Sequence, residues 1–598
     1  MNKFSATADR TAQLCAICIG AIFLFSGVAY LCLGHWTVTH KDFWRIYAVC
    51  LDHTWLESML LKHNGHSLFF PSLIWLADLR FFHGNQQLLF YVGLTLLFIA
   101  TGLLLVPVWR DQTIELTGKV ISTLVVIVGT FWMGRAAITA SGGYNCTASL
   151  LMAGAEVSFI CLPSMGTYSA RFWAATLAVI AGGFVASFSF GAGLATWPTL
   201  LLLAWCLRLP WRTYGLIIVA GVTAAIIFIL LPPREATVVG LRTLGLSISG
   251  ITTDVSYLCR LLSAPIFYAA SHWRAGPSST GMIESSFFAL AFGMVGLVVA
   301  MVEIVYTMIR RDLSRSSLGL IGIALVIFNL IVIGLIVVGR AEHIRALPFE
   351  LGAPRYFFHS TLFWTGTLLV ALQRAESTRW ARWLVCLVAF AASIVAFPSH
   401  YNGGLKCRRA RHLAEAGATS LVNGVRDDQQ IGILAPAGGK HWVYSVAEQL
   451  RQRRLDMFAE GLQDWIGLTE SSIARDRYKR EGLKGRCRVA ALVRCDNGSP
   501  AARLTGEVWK SRRPVPETLV IVDPMGVICG IAQSSTIYSD NRFLNRVLYL
   551  SKVTRTGFVG YIRDYDPQLQ YAVRSADHGT LSEETIPVQS PATELATP

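Results

Sequence analysis

Long apolar runs dominate the hydropathy pattern of this 598-residue chain. Crossing a hydrocarbon core as a helix takes about 20 apolar residues, fewer where neighbouring helices surround it. Runs at 11–32, 86–108, 120–134, 148–162, 172–188, 193–207, 214–231, 285–308, 318–338, 357–372 and 380–397 meet that description. The pattern predicts a polytopic α-helical membrane protein with about 11 transmembrane helices. A further stretch, 258–270, is short and interrupted by Pro265, and reads as a re-entrant or interfacial helix. The first run follows Lys3 and Arg10, is too long for a signal-peptide core and lacks a small-residue cleavage site. It reads as a retained anchor.

After Tyr401 the pattern becomes that of a water-soluble domain. Residues 407–422 predict an amphipathic helix, 431–434 a short strand and 441–453 another helix. Beyond Arg488, short β-rich runs at 489–494, 503–508, 518–522, 527–532, 546–550 and 557–562 are divided by turn signals. Asp496-Asn497-Gly498 and Asp523-Pro524-Met525-Gly526 are two of them. Short strands at this spacing predict a small β-sandwich. The expected organisation is a transmembrane domain over 1–400 with an outer loop at 34–85, then a soluble α/β domain over 401–580. That domain divides into a helical part, 401–485, and a β-sandwich-like part, 486–580. A Ser, Thr, Glu and Pro-rich tail over 581–598 is expected to be disordered. No internal repeat is evident.

Composition agrees with the membrane reading. Hydrophobic residues make up 53% of the chain and charged residues 15%, against roughly 25% charged in soluble domains. The net charge of +15 reads as topology, with no nucleic-acid partner, because basic residues collect in cytoplasmic loops. With the N-terminus inside, Arg110, Arg171, the 208–212 cluster, Arg310-Arg311 and the 374–382 cluster all fall on the cytoplasmic side. The outer loop, the loop 339–355 and everything after His400 then face outward. A crossing by 258–270 alone would carry Arg310-Arg311-Asp312 outside and break that agreement. Most of the 13 cysteines lie in apolar segments. Among those in the tail, Cys407, Cys487, Cys495 and Cys529, no spacing suits zinc, and a Cys487–Cys495 disulfide across neighbouring strands is left open.

The outer loop concentrates the candidate chemistry. It carries His40-Lys41-Asp42-Phe43-Trp44, Asp52, Glu57, Lys62-His63-Asn64-Gly65-His66 and Asp78. Asp42, where the chain leaves the membrane, is placed to act as general base for a sugar hydroxyl attacking an activated anomeric carbon. His40 and Trp44 flank it, and aromatic rings there would stack on sugar or lipid. The competing reading is a capping Asp on an interfacial helix with Trp44 in the aromatic belt. Lys62, Asn64 and His66, at the entry to a short hydrophobic helix, could hold phosphate or sugar hydroxyls, or simply cap that helix. His63 and His66 lack a third nearby metal ligand.

Arg340 and Arg355, with Tyr356 beside the second, bracket the other outer loop. Guanidinium groups at that level bind lipid phosphate with forked hydrogen bonds, or make ordinary headgroup contacts. Glu156 and Glu303 lie in apolar segments, where a carboxyl is costly and suggests either a transport pathway or a group satisfied inside the bundle. Asp564-Tyr565-Asp566 is similar to the paired acids of soluble glycosyltransferases, but it follows a strand as a turn would. No phosphate-loop, dinucleotide or nucleophile-elbow motif is present.

Three places resemble the GT-C superfamily of polyprenyl-phosphate-sugar-dependent membrane glycosyltransferases, chiefly its uncharacterised bacterial members. One is Asp42-Phe43-Trp44 with His63-Asn64-Gly65-His66, Pro71, Asp78 and Gly84; relatives carry Glu and Arg where this chain has Gly65 and Ser67. Another is Ser189-Phe190-Gly191-Ala192-Gly193-Leu194 through Trp197-Pro198. The third is Gly339-Arg340 followed by Arg355-Tyr356. The resemblance implies a polyprenyl-phosphate-linked sugar donor and inverting transfer on the outer face. By it Asp42 is the base and Arg340 and Arg355 contact donor phosphate. Acceptors would be a periplasmic glycan, glycolipid or protein, in the bacterial inner membrane, with the N-terminus cytoplasmic and the C-terminal domain periplasmic. Some members use a divalent metal such as Mg2+ and others do not, which the sequence leaves open. A ligase or polymerase using diphosphate-linked glycans, a glycolipid transporter or flippase, and a membrane-anchored binding protein are the competing expectations.

Overall fold

The computed structural model describes residues 3–166, 170–233, 248–273, 283–284, 286–313, 316–436, 439–474, 478–479, 483–509, 518–535, 555–577 and 580–589. Among these, nine helices are long and apolar enough to cross a membrane: Thr7–Gly34, Gln87–Arg110, Leu116–Thr139, Gly142–Gly166, Arg171–Ser189, Trp211–Leu230, Phe287–Arg310, Ser317–Ala346 and Arg379–Val422. The expected spans 193–207 and 357–372 fall on the shorter Gly191–Cys206 segment and on Phe357–Ala375, both outside that set. Phe357–Ala375 is 19 residues long, but His359, Ser360, three threonines and Gln373 make it too polar to qualify by composition.

The stretch expected to be re-entrant belongs to one helix, Ile248–Ser271, that runs straight through Pro265. A proline removes the donor that would bond the carbonyl four residues back. Here that carbonyl, on Leu261, accepts from Ser360 Oγ at 2.7 Å, and the next one, on Leu262, accepts from Trp364 Nε1 at 2.7 Å. Helix-to-helix bonds thus replace the lost one, as apolar surroundings require. Residues 236–247 and 274–282, the candidate strand 546–550 and residues 590–598 lie outside the described residues.

The chain forms two compact units. One comprises Met1–His35, Trp55–Trp75 and Leu89–Cys407; the other comprises Trp36–Thr54, Leu76–Leu88 and Arg408–Pro598. This differs from a division near residue 400 with the whole outer loop in the membrane domain, because two pieces of that loop group with the C-terminal half. The helix starting at Arg379 has no break at residue 400 and continues to Val422.

In the first unit the helices pack through small residues. Gly142–Cys161 and Ala170–Ser189 meet at Gly154 and Gly182, where a Cβ on either would fall within 2.6 Å of the other's carbonyl oxygen. Ser158 Oγ, on the same seam, donates to the Val179 carbonyl at 2.9 Å. Such close backbone approach is the usual means of helix association where no water drives it. The Ser317–Ala346 helix is capped by Ser316, whose Oγ accepts from Gly319 N. Asp111 supports the cap, accepting from Ser316 Oγ at 2.6 Å and Leu318 N at 2.8 Å.

The second unit is built on a sheet of β1 (Val425–Arg426), β2 (Tyr478–Lys479), β3 (Lys484–Cys495), β4 (Pro500–Trp509), β5 (Thr518–Val522), β6 (Ile528–Ser535), β7 (Arg555–Arg563), β8 (Ala572–Asp577), β9 (Thr580–Ser582) and β10 (Ile586–Gln589). The expected β-sandwich is replaced by a closed barrel. Pairing runs β3-β4-β7-β6-β5-β8, and β10 joins the two ends, antiparallel to β8 and parallel to β3. Leu504, Val508, Ile521, Phe558, Val573 and Ile586 are part of its buried core. Asp523 Oδ1 holds the β5–β6 turn by accepting from Met525 N and Val527 N, and Gly526 supplies a φ of 76°. The expected disordered tail begins within β9 and contains β10, because those residues complete the barrel. The expected strand at 431–434 is a 3-10 turn, Ile431–Ile433. Cys487 and Cys495 sit on the same strand, β3. Eight residues of extended chain separate their Cα atoms by roughly 26 Å, far beyond disulfide reach.

Candidate functional site

The Lys62–His66 segment lies in the first unit and turns tightly on Asn64 and Gly65. Their φ angles are 49° and 76°, and His63 and His66 exchange two backbone hydrogen bonds of 2.9 Å. Asn-Gly is the pair best suited to such a turn, since both positions need positive φ. Lys62 Nζ donates to the Phe228 and Ile229 carbonyls at 3.3 and 3.4 Å, at the C-terminal end of the Trp211–Leu230 helix. Lys62 thus caps a helix other than the one it precedes, with its charge favourable to that helix's dipole. Asn64 is exposed, with Nδ2 at 3.1 Å from His63 Nε2.

His66 reaches the second sequence motif. Its ring stacks on Phe190 at 4.0 Å between centroids, and a Cβ on Gly191 would lie 2.8 Å from His66 Nδ1. Burial lowers its pKa to about 4, helped by the charge of Arg340 and then of His63. The imidazole is therefore neutral near pH 7, and Arg340 of the third motif is close enough to act on it.

Arg340 and Arg355 both lie against Tyr356. Their guanidinium carbons are 5.9 and 5.0 Å from the centre of that ring, which is itself buried. Arg355 is ion-paired with Glu350 five residues earlier, a partner the sequence reading did not identify. Lys62, His66, Phe190, Arg340, Arg355 and Tyr356 thus all belong to the first unit.

Asp42, His40 and Trp44 belong to the second unit. Asp42 immediately precedes the Phe43–Asp52 helix, is partly buried, and makes no side-chain cap to it. Its capping reading therefore lacks the bond that would define it. Lys41 adopts a φ of 51°, and its N–H donates to the Leu434 carbonyl at 2.6 Å, fixing the turn just before Asp42. The aromatic neighbours differ from expectation. Trp44 is 0% exposed and His40 is 1% exposed, with its ring stacked on Trp36 at 4.1 Å and Nδ1 bonded to the Val38 carbonyl at 2.9 Å. Burial pushes the His40 pKa down to about 4. Phe43, Trp44, Tyr47 and Ala48 form the buried face of their helix, so neither His40 nor Trp44 presents a ring to a sugar.

Asp78 and Asp456 come together in the same unit, Asp456 being a residue that sequence reasoning missed. Only a lone acid before an apolar pair, Met457-Phe458, marks it in the sequence. Gly84 packs between Asp456 and Tyr47: a Cβ there would be 3.7 Å from Asp456 N and 3.9 Å from the Tyr47 ring.

The remaining candidates resolve into ordinary contacts or a buried cluster. Glu303 accepts from Arg374 Nε at 3.4 Å. Asp564 and Asp566 form a turn after β7, where Asp566 Oδ1 accepts from Gln568 N at 2.9 Å. Glu156 is fully buried in the first unit and lines a small cavity with Arg135, which the sequence reading also passed over. A larger open groove of about 550 Å³, bounded by Ala8, Arg379, Trp380 and Trp383, is lined by none of these candidates. Among the described residues no group of three or more His, Cys, Asp and Glu side chains is arranged to hold a metal.

No protein-family model and no curated protein matches this chain. The fold has some similarity to a solved structure, the archaeal oligosaccharyltransferase AglB from Archaeoglobus fulgidus in complex with an inhibitory peptide and a dolichol-phosphate. Identity is 11% and the TM-score 0.35, over 72% of this chain and 60% of that one. The chain therefore spans less than two thirds of that protein's length.

Proposed function

We propose that the protein is a membrane glycosyltransferase that takes a sugar from a polyprenyl-phosphate carrier and passes it to an envelope glycan, glycolipid or protein. The observation that carries this reading is the pair Arg340 and Arg355 on one buried tyrosine ring, with a neutral His66 in the field of Arg340. Two cations held at fixed positions suit a phosphate whose charge grows as it departs. Asp42, carrying no helix-capping duty, takes the acceptor proton as the hydroxyl oxygen attacks the anomeric carbon. The bond from that carbon to the phosphate oxygen breaks with inversion, and polyprenyl phosphate leaves with the electron pair.

The test is turnover of a panel of polyprenyl-phosphate sugars by the purified protein in reconstituted membranes, read by mass spectrometry of the released lipid. Asp42→Asn should lower transfer by about 10²–10⁴-fold, the usual worth of a general base, with expression and folding unchanged. Retained turnover in that variant removes Asp42 from the mechanism. Release of polyprenyl diphosphate from diphosphate-linked glycans would instead favour a ligase or polymerase.

A further inference from the structure

Two buried carboxyls of the second unit have no part in that scheme. Asp78 is 0% exposed and Asp456 is 5% exposed. Each has one oxygen engaged. Asp78 Oδ2 accepts from the Tyr47 hydroxyl at 3.5 Å and from Gln86 N at 3.3 Å, while Asp456 Oδ2 accepts from Thr39 N at 2.8 Å. The other oxygen of each, and Gln86 Oε1, has no hydrogen-bond partner among the described residues. Three buried acceptors with no donor are costly, and one proton turns an acceptor into a donor.

These contacts bracket Asp42. Asp456 holds Thr39, three residues before it. Asp78 holds Tyr47, five residues after it, and Tyr47 accepts a further bond from Gln86 Nε2 at 2.5 Å. We propose that Asp78 and Asp456 are each held protonated and act as positioning residues, bracing from both sides the 39–47 segment that carries Asp42. The inference rests on the reading of Asp42 as the base.

The electrostatics point the same way. Burial raises both carboxyls to about 7, and the charge of Asp78 adds to the rise at Asp456. The groups acting on the pair are Tyr47, the two carboxyls themselves and the backbone N–H groups of Thr39, Gln86, Leu88 and Met457, with Cys50 acting on Tyr47. No cation is among them. His40 and Lys41 lie within the braced segment, and His40 titrates in the opposite sense.

Hydrogen exchange of the 36–47 peptide, in the full-length protein in nanodiscs and corrected for chemical exchange rate, reads the brace without any turnover. Asp456→Asn and Asp78→Asn each supply a permanent donor in place of the carboxyl proton. The ratio of protection in Asp456→Asn to that in wild type should rise roughly tenfold or more from pH 5 to pH 8, as the native carboxyls lose their protons. The His40 contribution is common to both proteins and cancels. A ratio that does not change with pH in either variant overturns the protonated brace. On the polyprenyl-phosphate sugar panel, wild-type turnover should fall roughly tenfold per pH unit above the upper pKa of the pair, and the variant should lack that limb. An identical alkaline limb in both proteins overturns the positioning role. No transfer at any pH, with the exchange pattern intact, sinks the glycosyl-transfer reading while the protonated brace stands.

Discussion

Arg135 and Glu156 line one cavity of about 10 Å³ in the first unit. Arg135 is 1% exposed and Glu156 0%, and among the described residues neither Nε and Nη1 of the arginine nor the two carboxyl oxygens has a hydrogen-bond partner. Arg135 is otherwise held by the Thr130 carbonyl and by the Phe358 ring, 5.0 Å away. The two groups are expected to compensate each other across that cavity, so that removing either strands the other among helices. Arg135→Met and Glu156→Leu should each cost about 3–5 kcal/mol. The double variant should cost less than their sum by about 1–3 kcal/mol. Reversible unfolding in mixed micelles measures all three, and strict additivity would show that the two groups act independently.

That cluster also marks where the sequence stops being informative. Long apolar helices are legible because their composition has one explanation, and ten of the eleven expected runs fall on helices of the TM set or on its shorter companion, Gly191–Cys206. Residues 258–270 suggest only a short, interrupted helix, because the bond missing at Pro265 is replaced by Ser360, far along the chain. The barrel was read as a sandwich because β10 is four residues long, and only its pairing to β3 and β8 makes it a strand. At the candidate site, Asp42 stands out as a charge beside apolar neighbours. The burial of Trp44 and the approach of Asp456 to Asp78 depend on packing between segments hundreds of residues apart, for which periodicity has no signal.

Arg340 and Arg355 should contribute unequally to donor binding. Both lie over Tyr356, but Arg355 must give up Glu350 or share its charge before it can hold a phosphate. Arg340→Ala is expected to raise the KM for a polyprenyl-phosphate sugar about tenfold, the loss of one charge-assisted contact of roughly 1.5 kcal/mol. Arg355→Ala should raise it only a few-fold, and Glu350→Gln should lower it. Steady-state kinetics at saturating acceptor separates these outcomes. Equal effects of the two arginine variants would mean that Glu350 does not compete.

The pH dependence of stability between about pH 4 and 6.5 contains opposing contributions that single variants separate. Asp78 and Asp456 titrate near 7 in the folded protein against 3.8 when exposed, so their contribution is complete below 3.8 and is lost as pH rises towards 7. His40 and His66 titrate near 4 against 6.5, so theirs is complete above 6.5 and is lost as pH falls towards 4. The two trends oppose each other over the shared window. Measured as a difference from wild type, the Tm of Asp456→Asn should rise with pH across it, and that of His40→Gln should fall. Thermal melting in detergent from pH 4 to 8 gives both slopes. The same slope in both variants would contradict these assignments.

The barrel should depend on its last strand out of proportion to that strand's length. Ile586 pairs with Val573 of β8 and Val588 with Cys487 of β3, so β10 closes the seam between the two ends of the ring. Ile586 is 2% exposed, and losing the burial of such a side chain costs about 1.5–3 kcal/mol before the ladder bonds are counted. Two unpaired edges would also be left at β3 and β8, a known route to association. Cys487 reports the state of the seam. Its thiol is 2% exposed and burial pushes its pKa up to about 12, which makes it unreactive in the closed barrel. A chain ending at Thr585 should be alkylated rapidly at Cys487 under native conditions, while a chain ending at Gln589 should resist. Under denaturing conditions without reductant, Cys487 and Cys495 should both alkylate in the full-length protein, since one strand holds them too far apart to bond. Slow native labelling of the shorter chain would mean that β3 and β8 close the ring without β10.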